Sequence, residues 1–591
     1  MVTKTTNDFL PVNLHEGKKH YLHFKEFDIV FITGDPHYDH PLSGTALIAR
    51  LLDAKGYKVG IVPQPETEND FQACGEPKYF FCVTSGLLDS MLANYTPMLR
   101  KREEVLVPER ALISYTQALK KIFKHKIVVL GGVEATIRRF THFDYKENKL
   151  RRGILHDSKA DLLIHGNAER AILTLLERIK NIAQKENLAH RQLSWEQVKD
   201  RLDLASIESL VFRMKEKDLP PDVRRLPSFE ECVEDKEKFS LLTRTQYLLP
   251  DAAFIEQTGK GFVLHTRPAH PLTTEEMDFL YALPFMRKMH PLTKNLEFCL
   301  DMTGKLETSV VIGRGCWGSC NFCTIPLVQG KEVAIRSKES IVKEIETLCK
   351  GGAKLINDLT LPTLNMYGSS CSIYNQEKKM YSPVIDKEIK VYDKKEYCNQ
   401  ECVGCTNRKL SNKLLELLEA IEKVLRKYGA NMELRSALRH DIILHQKQLF
   451  RKVMEFTSRL KIAPEHISDS ALHSMNKATK KDFELFLAEF DKVNKEQNTH
   501  KRLVPYFIAA HPGTTRKDMM TLKEFCKEHN LFVKLTQVFT PTPGTASTAS
   551  YYTGIETRTG KPVYVARTFR ERKDQKNILL GENSPEHYDH D

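Results

Sequence analysis

The sequence predicts an α/β protein in two parts: a doubly wound parallel sheet, then a partial barrel of six βα units. Three observations carry this prediction. Strand-like apolar runs alternate with helical segments from about residue 28 to 180 and again from about 308 onward. The length of 591 residues exceeds what one core can serve. Between these stretches, residues 181–300 lose the pattern and carry Pro220, Pro221, Pro227 and the charge run 234–238.

In the first part, residues 28–34 read as a buried strand and 45–54 as an amphipathic helix that Gly56 is placed to end. Further strands are expected at 58–62, 79–84, 127–130 and 161–164, with helices at 115–123 and 169–179. Strands separated by helices indicate parallel pairing. In the second part, strands are expected at 308–315, 354–363, 431–440, 459–466, 503–513 and 534–544. Helices fall between them at 341–348, 409–427, 446–456, 482–493 and 516–528. In the second of these, Leu414, Leu417, Leu418, Ile421 and Leu425 make one apolar face. The expected domain map is an extension over 1–27, the sheet domain over 28–180 and a connector over 181–300. A barrel follows over 301–550 with a cysteine-bearing insertion at 364–408, and then a tail over 551–591.

Composition narrows the class. With 41% hydrophobic and 28% charged residues, the chain reads as an ordinary globular protein. No apolar run reaches the roughly 18 residues that span a bilayer. The first 28 residues are polar, so no secretory signal is expected. Thirteen cysteines without an export signal point to a reducing, cytoplasmic setting and to metal ligation instead of disulfides. A net charge of +12 is compatible with an RNA substrate without demanding one.

The chemistry concentrates in Cys316, Cys320 and Cys323, spaced C-x₃-C-x₂-C directly after the strand-like run 309–315. Three thiolates on one short loop can hold three corners of a [4Fe–4S] cube and leave the fourth iron open. The competing reading is part of a zinc site, although Cys316 to Cys320 is one residue too wide for the usual C-x₂-C hook. The working residues of a parallel barrel collect at the C-terminal ends of its strands, where this loop falls.

These cysteines, the strand before them and Phe322 resemble the radical S-adenosylmethionine (SAM) signature. The resemblance implies that the open iron chelates SAM, and that the reduced cluster splits it to a 5′-deoxyadenosyl radical. It also implies a six-unit barrel core and a flavodoxin- or ferredoxin-type electron donor. At the end of strand two, Thr360 and Leu361 stand where the superfamily carries glycines whose backbone meets SAM. Arg435 and Glu465, at the ends of strands three and four, could position the SAM carboxylate or ribose, or equally form an internal ion pair. The turns after His511 and Thr540 resemble those of radical-SAM methylthiotransferases.

Residues 130–136 and 161–169 resemble the back half of the cobalamin-binding-like domain that precedes many radical-SAM cores. The ligand signature there is D-x-H-x-x-G. Asp35 and His37 fit its first half, but His40 stands at the glycine position, which argues against cobalamin itself. The stretches 9–12, 33–44, 312–323, 461–466, 506–515 and 541–554 closely resemble the YgiQ family of radical-SAM proteins, over about 9–575. That family supplies no substrate, so RNA and small molecules both stay open. The competing class is a non-catalytic iron–sulfur or zinc protein that binds nucleic acid.

A second group, Cys398, Cys402 and Cys405, repeats the C-x₃-C-x₂-C spacing, with Cys371 as a fourth ligand. Four thiolates suit an auxiliary iron–sulfur cluster or a structural Zn²⁺. The alternative is free thiols on an exposed loop.

Overall fold

The computed structural model describes residues 8–103, 105–188, 193–221, 223–304, 306–394, 398, 402–533 and 536–580. It divides into two compact units: 1–272 with 279–301 and 377–391, and 273–278 with 302–376 and 392–591.

The first unit is organised by a nine-stranded sheet. In chain order its strands are β1 (Ile29–Thr33), β2 (Val59–Pro63), β3 (Phe80–Thr84), β4 (Ile127–Leu130) and β5 (Leu162–Ile164). They continue as β6 (Leu210–Met214), β7 (Arg224–Arg225), β8 (Phe254–Thr258) and β9 (Gly261–His265). The spatial order is β7-β8-β9-β6-β5-β4-β3-β1-β2. The first five strands are mutually parallel, as the alternating pattern predicts. All five residues of β1 are buried, which suits a strand covered on both faces. Helix α1 (Leu14–His20) precedes the sheet, and α2 (Gly44–Ala54) connects β1 to β2. Gly56 takes φ +85° just past α2, a value that favours glycine.

Two parts of the expected domain map change. Residues 181–300 are not a separate connector: β6 pairs antiparallel onto β5, β9 onto β6 and β8 onto β9, and β7 extends that edge. Pairing β6 with β9 joins residues some fifty apart, a long-range contact that local periodicity does not register. Residues 8–27 are no loose extension either. The Phe24 and Phe27 rings meet edge to face at 4.7 Å, and Phe27 is fully buried. Gly17 in α1 lets them close, because a Cβ there would lie 2.6 Å from Phe24.

The second unit contains the barrel. Its strands are β10 (Ser309–Val311), β11 (Leu355–Ile356) continuing as β12 (Asp358–Thr360), β13 (Asn431–Met432), β14 (Arg459–Glu465), β15 (Arg502–Ala509) and β16 (Thr536–Val538). β10 pairs parallel with β12, β11 with β13, β14 with β15, and β15 with β16. A single parallel bridge, Leu438 to Ile462, joins the third strand to the fourth. The six expected βα units are therefore present in sequence order. Helices α3 (Lys338–Lys350), α4 (Lys413–Tyr428), α5 (Lys447–Glu455), α6 (Lys480–Glu496) and α7 (Arg516–Glu528) surround them. The predicted face of α4 is buried at all five positions, within an apolar core that includes Val310, Ile356 and Phe486. Each such side chain contributes about 1.5–3 kcal/mol on burial.

Three differences have physical causes. The third strand ends early because the Asp358 carboxylate accepts the N–H groups of Arg435 (2.9 Å) and Ser436 (3.1 Å), competing with the ladder. The chain then enters a helical turn at His440–Ile443. The expected tail instead includes α8 (Phe569–Leu580), whose Gln575 accepts from Ala510 N–H and donates to Thr514 O. The insertion forms a hairpin, Tyr374–Ser382 with Lys387–Lys394, whose residues 377–391 group with the first unit.

Candidate metal centre and cofactor site

The loop after β10 is held from several sides. Gly313–Arg314 pairs antiparallel with Ala334–Ile335, and Cys316 N–H donates to Gly330 O at 3.1 Å. Gly315 has φ +90°, and a Cβ there would lie 2.1 Å from the Glu332 carbonyl. Only glycine fits that position without moving the backbone. On the far side, buried Asn321 donates from its backbone to Met475 O and from its side chain to Ser474 O. The Asn476 amide holds Ser319 O. Loop and barrel mouth are thus one rigid piece, as positioning of ligands requires.

Cys316, Cys320 and Cys323 are all half-buried. Cys316 Sγ lies 3.5 Å from the Thr363 hydroxyl and accepts Gly318 N–H at 3.4 Å. Burial pushes the Cys316 thiol up and the Cys323 thiol up to about 12. Arg439 Nη1 approaches Cys320 Sγ at 3.7 Å. That guanidinium also grips Asp441 through Nε (3.0 Å) and Nη2 (2.8 Å). Burial opposes ionisation of Asp441, yet Arg439 holds its carboxyl down to about 2. The donor set is soft sulfur with a cation beside it. This fits a thiolate-ligated iron–sulfur cluster, whose charge a guanidinium offsets.

The sequence-named SAM residues fall in different settings. Thr360 pairs with Val311, and its carbonyl accepts Ile312 N–H, so it borders the cysteine strand through its backbone. Arg435 is held through its N–H to Asp358. Glu465 ends β14 at a register irregularity with φ +66° and is buried. Burial raises its pKa, while Lys477 at 3.8 Å and Arg439 pull the other way. Of the three, Glu465 is the one the fold brings toward the thiols, by way of Arg439. The sequence reading passed over Arg439 and Lys477. The signal available for Arg439 was an acid two positions on, at Asp441.

His466 and His511 serve the scaffold. His466 Nδ1 accepts the N–H groups of Ile467 and Ser468, while His511 bonds Ser547 Oγ at 2.6 Å and meets Phe322 edge to face.

In the second cysteine group, Cys371 pairs across a short ladder with Arg408, and Cys402 and Cys405 close a turn. Cys398 is half-buried. Among the described residues, no three His, Cys, Asp or Glu side chains converge on a single-ion site.

In the first unit, the switch in strand order lies between β1 and β3, where doubly wound folds bind ligands. Here Asp35 accepts Leu87 N–H at 2.7 Å, and burial pushes its pKa up to about 6. Gly86 has φ +103°, and a Cβ there would lie 2.1 Å from Asp35. His37 is buried and stacked on His290 at 5.2 Å, with Phe9 edge-on to both. Both His37 ring nitrogens are buried without a hydrogen-bond partner. Among the described residues, no helix is long and apolar enough to cross a membrane.

Comparison with known proteins identifies the family and the fold. A family model described as radical SAM N-terminal matches residues 9–300. A UPF0313 protein of Clostridium botulinum (strain Okra) is 34% identical, over 97% of this chain and 87% of that protein. The UPF0313 protein of Methanocaldococcus jannaschii is 35% identical, over 94% and 90%. Among solved structures, the radical S-adenosylmethionine methyltransferase TsrM of Kitasatospora setae, with tryptophan and a SAM analogue bound, covers 94% of this chain and 89% of its own. Its TM-score of 0.50 at 12% identity makes it a likeness of fold. The non-catalytic alternative is set aside: the chain belongs to the UPF0313 (YgiQ) family and is a radical SAM enzyme.

Proposed function

We propose that Cys316, Cys320 and Cys323 ligate a [4Fe–4S] cluster whose fourth iron takes SAM. The observation that carries this is three half-buried thiols on one pinned loop at the C-terminal end of the first barrel strand, beside Arg439. When bound, the cluster supplies one electron that splits SAM to methionine and a 5′-deoxyadenosyl radical, which takes a hydrogen atom from substrate.

The chain's own residues hold and orient. Gly318 N–H and the Thr363 hydroxyl face Cys316 Sγ and stabilise charge on it. Arg439, fixed by Asp441, places a cation beside Cys320. Glu465, paired with Lys477, presents a polar group for the SAM amino group or ribose, and the Thr360 backbone pairs with the strand that leads into the cysteine loop. Arg435 completes this set from the third strand. The electron donor is of the flavodoxin or ferredoxin class, and the substrate is RNA or a small molecule. Thiol ligation on this scale suits a reducing compartment, and we read the protein as cytoplasmic. We read the sheet domain as working without cobalamin because His40 stands at the glycine position of the ligand signature, while His37 lies stacked on His290.

Anaerobic reconstitution tests the reading. Wild-type protein should gain thiolate-to-iron charge-transfer absorption with matching iron and sulfide. The C316A/C320A/C323A variant should lose the share that binds SAM. Equal SAM binding by that variant would remove these residues as the site.

A further inference from the structure

Parts of the second cysteine group, distant in sequence, meet around Arg408. Cys371 lies directly opposite Arg408 in an antiparallel pair. Three residues before Arg408, the turn Cys402–Cys405 closes with Cys405 N–H on Cys402 O at 3.3 Å. Gly404 takes φ +73° inside it, which folds the two cysteines into a hook. Arg408 N–H in turn donates to Cys405 O at 3.1 Å. Cys371 and Cys402 lie within electrostatic reach of each other. Cys398 stands four positions before Cys402 and is half-buried.

Arg408 is the centre of the arrangement. Its Nη2 donates to Cys402 Sγ at 3.2 Å, and its two Nη atoms bind the Glu332 carboxylate at 2.8 and 2.6 Å. A guanidinium aimed at sulfur offsets the charge that clustered thiolates would carry. The same guanidinium lies 5.3 Å over the ring of Trp317. Trp317 follows Cys316 and is buried with Met366 and Ile442, and Cys316, Cys402 and Val403 pack against that patch. The Glu332 backbone is the group that presses on Gly315. The Arg408 guanidinium therefore meets the loop of the first cysteine group at Trp317 directly and at Gly315 by way of Glu332.

We propose that Cys371, Cys398, Cys402 and Cys405 hold a second thiolate-ligated metal centre, packed through Arg408 against the Trp317 side of the first. Four thiolates close its coordination sphere, so it offers SAM no open position. Its loading ties down the chain on which Arg408 sits, because metal binding in such loops is coupled to their folding.

Metal analysis of three full-length proteins tests this independently of the SAM cluster. These are wild type, C316A/C320A/C323A, and the variant with Cys371, Cys398, Cys402 and Cys405 also changed to Ala. The triple variant should retain metal and bind no SAM, and the sevenfold variant should lose it. Retained zinc, at about one per chain, identifies a structural clip that draws the thiols closer together than they stand here. Retained iron with matching sulfide, about four of each, identifies an auxiliary cluster. A triple variant with native circular dichroism and no metal overturns the proposal, as does metal that persists in the sevenfold variant. If the triple variant does not fold, C371S/C398S/C402S/C405S is compared with wild type. It should lose the second centre's metal while still cleaving SAM, and unchanged metal content overturns the proposal.

Discussion

Two loops in this molecule follow the first strand of a parallel array, and their fates differ. After β1, the loop carries Asp35 and His37, both suited to ligation, yet Asp35 is engaged by a backbone N–H and His37 is buried. Asp35 caps Leu87, and His37 lies flat on His290. After β10, the loop carries three thiols and keeps them half-exposed, while its backbone and Asn321 make the anchoring bonds. The difference teaches that residue type at a strand end does not make a site. A site needs several donor atoms kept within reach of solvent while other groups hold the loop.

The comparison can be broken most forcefully at Arg439. Arg439→Ala removes the cation beside Cys320 and strands the buried Asp441 carboxylate, a loss of about 3–5 kcal/mol. Cluster loading and SAM cleavage should fall at least tenfold, and thermal unfolding of the barrel should drop; unchanged loading would show that Arg439 plays no part. Next comes Gly315→Ala, which puts a Cβ against Glu332 O in a left-handed backbone and costs about 1–3 kcal/mol. Loading should drop severalfold, read as iron per chain, whereas Gly429→Ala, with nothing near its Cβ, should leave it intact.

A smaller effect concerns pH in the first unit. Glu256 accepts the Thr141 N–H, and burial pushes its pKa up to about 7. A carboxyl raised on folding stabilises fully below its unfolded value near 4.5, and that contribution is lost as pH rises through 7. Glu256→Gln should flatten this slope between pH 4.5 and 7 by on the order of 2 kcal/mol, measured by denaturant unfolding. An unchanged slope would assign it to other groups. The smallest effect is a null. Hydroxocobalamin added to the reconstituted protein should keep its free spectrum and elute separately on gel filtration, in wild type and His37→Ala alike. A corrinoid that co-elutes with wild type and not with His37→Ala would reverse the reading of the β1 loop.

Much of this was legible in the sequence because it was local. The apolar face of α4, the parallel strands β1 to β5 and the cysteine loop after β10 each declare themselves within a few residues. What was not legible depends on partners far along the chain. The strand β6 and the β8–β9 hairpin read as a connector because the pairings that tie them to the sheet, β6 on β5 and β9 on β6, are long-range. The third barrel strand was overextended because nothing local shows that Asp358 will take the Arg435 and Ser436 N–H groups. The segment ending in α8 looked like a charged tail, yet Arg572 and Gln575 are buried by donating to Phe539 O and bridging Ala510 and Thr514. In the site, the thiols were evident from spacing. The guanidinium beside Cys320 became evident only once the fold placed residue 439 there.

The central claim is that the β10 loop, and not the β1 loop, carries the chemistry. The most direct measurement is 5′-deoxyadenosine formation from SAM under dithionite by anaerobically reconstituted protein. Wild type and His37→Ala should both form it without added cobalamin, and C316A/C320A/C323A should form none. Turnover by the triple variant, or turnover that requires cobalamin, would contradict the account.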